Sequence, residues 1–358
     1  MQSNTIRSRT ASLTWLVGIS TLLAMSDGAA AGDLTLAGDV TNPGSYTISE
    51  LQNLPPTTES VTIGGVTSIY TGVSLWTFLG DGAGPNPPNV IMGTGKNPSL
   101  RNYIVATGSN GSQSLVSLGE INPSFGNPPQ GSLDLIAYKQ NGSLLSSPQL
   151  IVPQDTSGAR NVTNLASLNV LSVPQAMGTG GGLSTEFAVS VPGNAPVYVN
   201  LATLKSFPSV TETVTYLAGG IPVTGTFTGV PVWNLLSQLG ATQNDILTKY
   251  LTATGSDGYN VLFSLAEFDP KLGAPANPME AIVAYADTNG DLMSPTGSGF
   301  ARLVIPGDNF GGRFVSNLVD LEVVDAVPEP TSALLLISGL AAIALLTWSQ
   351  NRSRARAA

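Results

Sequence analysis

The chain has 358 residues, with 14 Lys plus Arg against 23 Asp plus Glu, and contains neither cysteine nor histidine. Charged residues make up 10% of it, against roughly 25% in an ordinary soluble domain. The two absences exclude disulfides, thiolate nucleophiles, Cys-ligated metals, His-based relays and imidazole ligands. Oxygen-ligand metals, carboxylate pairs and Ser, Lys or Tyr chemistry remain open.

The first segment, residues 1–31, has the three parts of a secretory signal peptide. Arg7 and Arg9 are its positive end, Leu13 to Met25 its apolar core, and Ala29-Ala30-Ala31 its small-residue cleavage site. The apolar core is too short for the roughly 20 residues that span a bilayer. Ser8 separates the two arginines, so this is not a twin-arginine signal. The expectation is Sec-type export of an unfolded chain carrying no preloaded cofactor.

The next stretch, 33–173, reads as one domain. A strand at Leu34 to Ala37 leads to a short helix at Ile48 to Leu54, which stops at Pro55. Thr71-Gly72-Val73 is expected to open a second helix, Leu75 to Leu79. A β-branched run at Tyr103 to Ala106 follows, then Ile136-Ala137-Tyr138, Asn141-Gly142 and Leu150-Ile151-Val152-Pro153 with Asp155 and Arg160. Residues 174–182, rich in glycine from Gly178 to Gly182, read as a flexible linker.

From 183 to 325 the same landmarks return in the same order, at a period near one domain length. Phe187 to Val191 is a strand and Leu201 to Phe207 a short helix. Tyr70-Thr71-Gly72-Val73 recurs as Phe227-Thr228-Gly229-Val230, ahead of a helix at Trp233 to Leu239. Ala253-Thr254-Gly255-Ser256 echoes Ala106-Thr107-Gly108-Ser109. Tyr259 to Phe263 and Ile282 to Ala286 read as strands, the latter entering an Asn289-Gly290 hairpin turn. Leu303 to Pro306, with Asp308 and Arg313 after it, and Leu318 to Val324 close the unit. Mostly strands with two or three helices per copy make the fold class α+β and β-rich, a tandem duplicate.

The last segment, 327–358, holds Pro328-Glu329-Pro330, an apolar run from 333 to 348, and Arg352, Arg354 and Arg356. Its sixteen apolar residues give about 24 Å of helix, a minimal transmembrane span. The basic tail is expected to stay cytoplasmic. Without the two end segments, residues 32–327 carry nine basic and 21 acidic residues, net −12. Nucleic acid and anionic lipid are poor partners for such a surface, while cations and neutral polymers suit it.

Pro-Glu-Pro, apolar helix and basic tail together resemble the PEP-CTERM sorting signal. That resemblance implies processing by the membrane protease exosortase, after a transient membrane anchorage, in a Gram-negative bacterium that makes extracellular polysaccharide. The repeated body resembles the molybdopterin-binding domain of the sulfite oxidase family. The matching landmarks are Thr-Gly-Val, Asp257-Gly258-Tyr259, Ala284-Tyr285 with its Asn-Gly turn, Arg302-Leu303-Val304-Ile305-Pro306, and Leu321-Glu322-Val323. Copy one departs from the pattern, with Asn110-Gly111-Ser112 for Asp-Gly-Tyr and Pro148-Gln149-Leu150 for Ala301-Arg302-Leu303. The resemblance implies a fold built around a molybdenum–pterin cofactor held by a cysteine about ten residues before the Gly-Val element. Here the corresponding neighbourhoods are Val61-Thr62-Ile63 and Val214-Thr215-Tyr216, and neither contains cysteine. Threonine or valine cannot replace a thiolate on a soft metal.

Several residues are candidates for a ligand groove: Asp257, Tyr259, Arg302, Asp308, Arg313, Asp155 and Arg160. The resemblance implies that such arginines face the pterin phosphate. The plainer reading of each Asp–Arg couple is an ion pair that fixes a loop. Asp287, Asn289 and Asp291 resemble half a calcium loop, but Leu292 and Ser298 stand where an EF-hand needs Gly and Glu, which favours a hairpin turn. Trp76 and Trp233 are core aromatics or, less readily, sugar platforms. Glu267 with Asp269, or Asp287 with Asp291, has the composition of a glycosidase pair, whose separation the sequence cannot give. The expectation is an exported surface or extracellular-matrix protein. Its molybdopterin-oxidoreductase-like domains have no catalytic residue, and they bind or scaffold extracellular polysaccharide or a small ligand. The rival is a molybdopterin-dependent oxidoreductase, or its pterin-binding subunit, with non-cysteine ligation.

Overall fold

The computed structural model describes residues 32–80, 88–125, 134–243, 246–272, 280–292 and 299–326. The signal peptide, the 333–348 span, Pro328, Glu329, Pro330, Arg352, Arg354 and Arg356 lie outside the described residues. Among those described, no helix is long and apolar enough to cross a membrane.

The first half runs β1 (Leu34–Gly38), β2 (Gly44–Tyr46), α1 (Ile48–Leu51), β3 (Thr57–Ile63), β4 (Val66–Ser74) and α2 (Leu75–Leu79). It continues with β5 (Asn102–Gly108), β6 (Gln113–Ser117), α3 (Leu118–Ile121), β7 (Leu135–Gln140), β8 (Ser143–Ile151) and β9 (Leu165–Ser172). The second half runs β10 (Glu186–Ser190), β11 (Val197–Asn200), α4 (Leu201–Lys205), β12 (Val210–Ala218), β13 (Ile221–Pro231) and α5 (Val232–Gln238). Then come β14 (Lys249–Gly255), β15 (Asn260–Ser264), β16 (Ile282–Asp287), β17 (Gly290–Asp291), β18 (Arg302–Val304) and β19 (Leu318–Asp325).

The chain is β-rich and builds two sheets per half in matching order. One sheet is β2-β1-β9-β5-β6 in the first half and β11-β10-β19-β14-β15 in the second. The other is β3-β4-β7-β8 and β12-β13-β16-β17, with β18 also pairing β16. In each half the first strand pairs parallel to the last, β1 to β9 and β10 to β19, while the other strand pairs are antiparallel. The helices are short and held by their caps: Thr47 and Glu50 form a capping box at α1, Ser74 caps α2 and Asn200 caps α4. In α2, Leu75, Trp76, Phe78 and Leu79 are all buried, so packing rather than length sustains it.

Two expectations change. Thr-Gly-Val does not open a helix. It ends β4 and β13, and the helices start only after Ser74 and Pro231. The pairing register shifts between Thr71 and Gly72, and again between Thr228 and Gly229. At these bulges a Cβ on Gly72 would lie 2.1 Å from the Ile136 carbonyl oxygen, and one on Gly229 would lie 2.4 Å from that of Val283. The glycine is there because two backbones meet. Nor is the glycine-rich stretch a free linker. Thr179 and Gly181 donate their amides to the Ser256 carbonyl, and the Ser256 hydroxyl donates to that of Gly182 at 2.6 Å. Asn260 also holds Pro174 and Ala176.

The halves meet along a seam where equivalent residues face each other. Tyr103 packs on Tyr250 with ring centroids 5.0 Å apart, in a cluster with Val105, Leu115 and Leu262. The Leu115 amide donates to the Leu247 carbonyl at 2.9 Å, and the Ser264 hydroxyl to the Leu115 carbonyl at 3.0 Å. Leu100 and Phe125 of the first half belong to the core of the second.

Candidate functional site

Two features are concentrated where the halves meet: a buried ionic cluster and an open cavity. The cluster is built from the loops after β8 and β18. Arg160 grips Asp155 with two parallel hydrogen bonds, at 2.8 and 2.6 Å, and donates a third at 2.6 Å to Glu120 on α3. Arg313 does the same to Asp308, at 2.8 and 2.7 Å, and reaches Glu267. Both arginines and both aspartates are buried. The Ser117 hydroxyl donates across the seam to Glu267 at 2.6 Å, and the Ser264 amide to the same oxygen at 2.9 Å. Desolvation pushes the Glu120 carboxyl up to about 7, against the pull of Arg160, and pushes Asp308 up to about 6. Asp155, Arg160, Asp308 and Arg313, expected in a ligand groove, therefore stand as buried ion pairs that tie loops to the seam.

The cavity, about 530 Å³, lies beside this cluster in the second half. Tyr216 to Gly219, at the end of β12, form one wall. The facing wall is the turn after β18, where Gly311 and Gly312 lie close to two rings. A Cβ on Gly311 would sit 2.7 Å from the Tyr216 ring, and one on Gly312 would sit 2.3 Å from Phe125. Leu217 donates its amide to the Asn309 carbonyl at 2.8 Å and so holds the walls in register. Arg302 lies over the rings of Phe227 and Phe314, at 5.1 and 5.8 Å, and lines the cavity. The first half contributes Lys96, Asn97, Ser124 and Phe125.

Of the sequence candidates, Arg302 lines this cavity and Tyr259 supports it from behind. The half-buried Tyr259 donates its hydroxyl to the Gly312 carbonyl and accepts from Asn97 at 2.9 Å. Burial raises its pKa. Asp257 is exposed and accepts from the Tyr259 amide at 3.0 Å, as a turn residue does. Lys96, Asn97 and Phe125 carry no motif and were missed. Tyr216 lies within the neighbourhood Val214-Thr215-Tyr216, where threonine was compared with the metal-binding cysteine.

Thr62 and Thr215, the positions compared with a metal-binding cysteine, turn the other way. Their hydroxyls pair with Thr67 and Thr224 at 2.8 Å on exposed strand faces. With Thr211–Thr228 and Thr213–Thr226, the second hairpin carries three cross-strand threonine pairs. The cavity walls thus offer a phenol, a guanidinium, an ammonium and hydroxyls but no thiolate. A thiolate-held molybdenum does not fit this donor set.

The remaining candidates have structural partners. Asp287 accepts from the Asn289 amide at 2.7 Å, Asp291 pairs with Lys205 at 2.7 Å, and the segment is the β16–β17 hairpin. Among the described residues no cluster of three or more acidic groups is arranged to hold a metal. Glu267 is bound to Arg313, and Asp269 accepts from Gln243 and the Lys271 amide. Trp76 is buried in the core, whereas Trp233 is half-buried and packs on the core.

No family model matches the sequence, and no curated protein matches it. Among solved structures, similarity is found to the sulfane dehydrogenase SoxCD from Paracoccus pantotrophus, at 20% identity and a TM-score of 0.33. The match covers 49% of this chain and spans 44% of that one.

Proposed function

We propose that this chain is an exported, exosortase-sorted protein of the cell surface or extracellular matrix, and that its two halves are degenerate forms of a sulfite oxidase-type fold that bind rather than catalyse. The observation that carries the reading is the set of side chains around the cavity. Where the family resemblance calls for a metal-binding thiolate, Tyr216 is on the wall and the neighbouring Thr215 faces outward. What remains is a preformed, partly aromatic pocket of a size usual for small-ligand sites. The signal-peptide pattern, the Pro-Glu-Pro element and the acidic body support the export and sorting part of the reading.

The test is purification from the native host, followed by mass spectrometry of both ends and metal analysis. The expected product begins at Gly32, is cut near Pro328-Glu329-Pro330, and holds no molybdenum. Stoichiometric molybdenum with pterin fluorescence overturns the non-catalytic reading and supports an oxidoreductase with unusual ligation. An intact leader on cytoplasmic protein overturns the sorting.

A further inference from the structure

The cavity beside Gly311 and Gly312 differs in charge from the rest of the molecule. Residues 32–327 hold nine basic and 21 acidic residues. Two of those nine, Lys96 and Arg302, line this cavity, and among the described residues no Asp or Glu does. Its interior therefore favours an anion inside an otherwise acidic protein.

The placement of the two cations matters as much as their number. The Arg302 guanidinium stacks over Phe227 and Phe314 and is only partly exposed, so its flat face is fixed and partly stripped of water. Lys96 is exposed, and its ammonium lies 5.3 Å from the centre of the Tyr259 ring. An anion entering here meets a fixed guanidinium inside and a flexible ammonium outside. The walls are aromatic as well. Tyr216 and Phe314 pack with ring centroids 4.5 Å apart, and Phe125 closes the side facing the first half. Aromatic faces of this kind favour a planar, apolar body.

We infer that this cavity binds a small planar aromatic anion, its ring against Tyr216 and Phe125 and its charged group at Arg302 and Lys96. The occupant touches both halves at once, because Lys96 and Phe125 come from the first and Arg302 and Tyr216 from the second. Occupancy therefore also holds the seam closed.

This inference rests on the binding role proposed above, yet its test is blind to export. 2-Naphthoate and its neutral amide, 2-naphthamide, have nearly the same shape and differ in charge. Calorimetric titration of the purified protein is expected to show naphthoate binding at least tenfold more tightly. Lys96→Gln, at an exposed position, is expected to reduce that preference, and adding Arg302→Gln to bring the two probes within twofold. Ala218→Trp, at the mouth, is expected to abolish binding of both. The inference is overturned if the wild-type protein binds neither probe or both equally. It is also overturned if the naphthoate preference survives the double variant, or survives Lys96→Gln unchanged should the double variant not fold. Naphthoate binding to a chain retained in the cytoplasm sinks the sorting proposal and leaves this site standing.

Discussion

Asp134 and Glu120 show how unevenly the two halves are finished. Glu267 is satisfied by Arg313, Ser117 and the Ser264 amide. Glu120, at the matching position, has one oxygen on Arg160 and the other without a partner. Asp134 is 2% exposed and also has one oxygen without a partner. Glu120 raises the pKa of Asp134, and Asp155 and Glu267 add to the repulsion on both. Burial, the largest cause, pushes Glu120 up to about 7, Asp308 up to about 6 and Asp134 well above its usual value. A carboxyl whose pKa is higher in the folded state binds its proton more tightly there. Its contribution is fully present below the unfolded value near 4 and is lost as pH rises through 6 to 7. The melting temperature is thus expected to fall between pH 5 and pH 8. Glu120→Gln keeps an acceptor for Arg160 and removes the charge, so it is expected to stabilise at pH 8 by on the order of 2 kcal/mol and to flatten the profile. Thermal melts across that range decide it, and an unchanged slope in the variant refutes the assignment.

At the scale of elements, what could be read from the sequence depended on how locally each element is specified. The helix at Leu75 to Leu79 has the expected bounds because its apolar run is local, but it is opened by the Ser74 cap rather than by Thr-Gly-Val. The strands at Leu34, Ile282 and Leu318 are read within a residue or two, since β-branched runs with turn residues around them leave few alternatives. The long hairpins β3–β4 and β12–β13 were missed, although Gly64-Gly65 and Gly219-Gly220 mark them. Both glycines of each pair have positive φ, as a two-residue hairpin loop of this type requires. The flanking threonines have weak hydrophobic alternation because one face of each hairpin is exposed and polar. The bulge at Thr-Gly-Val was also misread, because its glycine answers to a neighbouring strand 50 or more residues away. Gly229→Ala is expected to cost about 1–3 kcal/mol through backbone overlap at Val283. Gly65→Asn, where an added Cβ meets nothing within 4 Å and the residue tolerates positive φ, is expected to cost well under 1 kcal/mol. Urea denaturation of the pair measures the contrast, and equal costs refute the close-approach account.

For the whole molecule, the seam decides both what the sequence hid and how the chain unfolds. The repeated landmarks describe each half on its own terms, so Arg302 and Tyr259 could be suspected. Lys96, Asn97 and Phe125 could not, because their role exists only once the first half is laid against the second. The same dependence has an energetic consequence. Tyr103, Leu115, Tyr250 and Leu262 are buried largely by one another, and Leu100 and Phe125 are buried in the other half's core. A half standing alone would expose these side chains at a cost of roughly 1.5–3 kcal/mol for each one fully uncovered. It would also break the hydrogen bonds from Ser117 to Glu267 and from Ser264 to Leu115. That sum is comparable with the whole stability of an ordinary domain, about 5–15 kcal/mol. The described body is therefore expected to unfold in one cooperative calorimetric transition, although its length and internal repeat suggest two. Leu115→Ala, at the centre of the seam, is expected to lower that transition by about 2–5 kcal/mol without splitting it. Two separate transitions in the wild-type protein, or an effect of Leu115→Ala on one transition alone, would show that the halves fold independently and that the seam is a contact rather than a core.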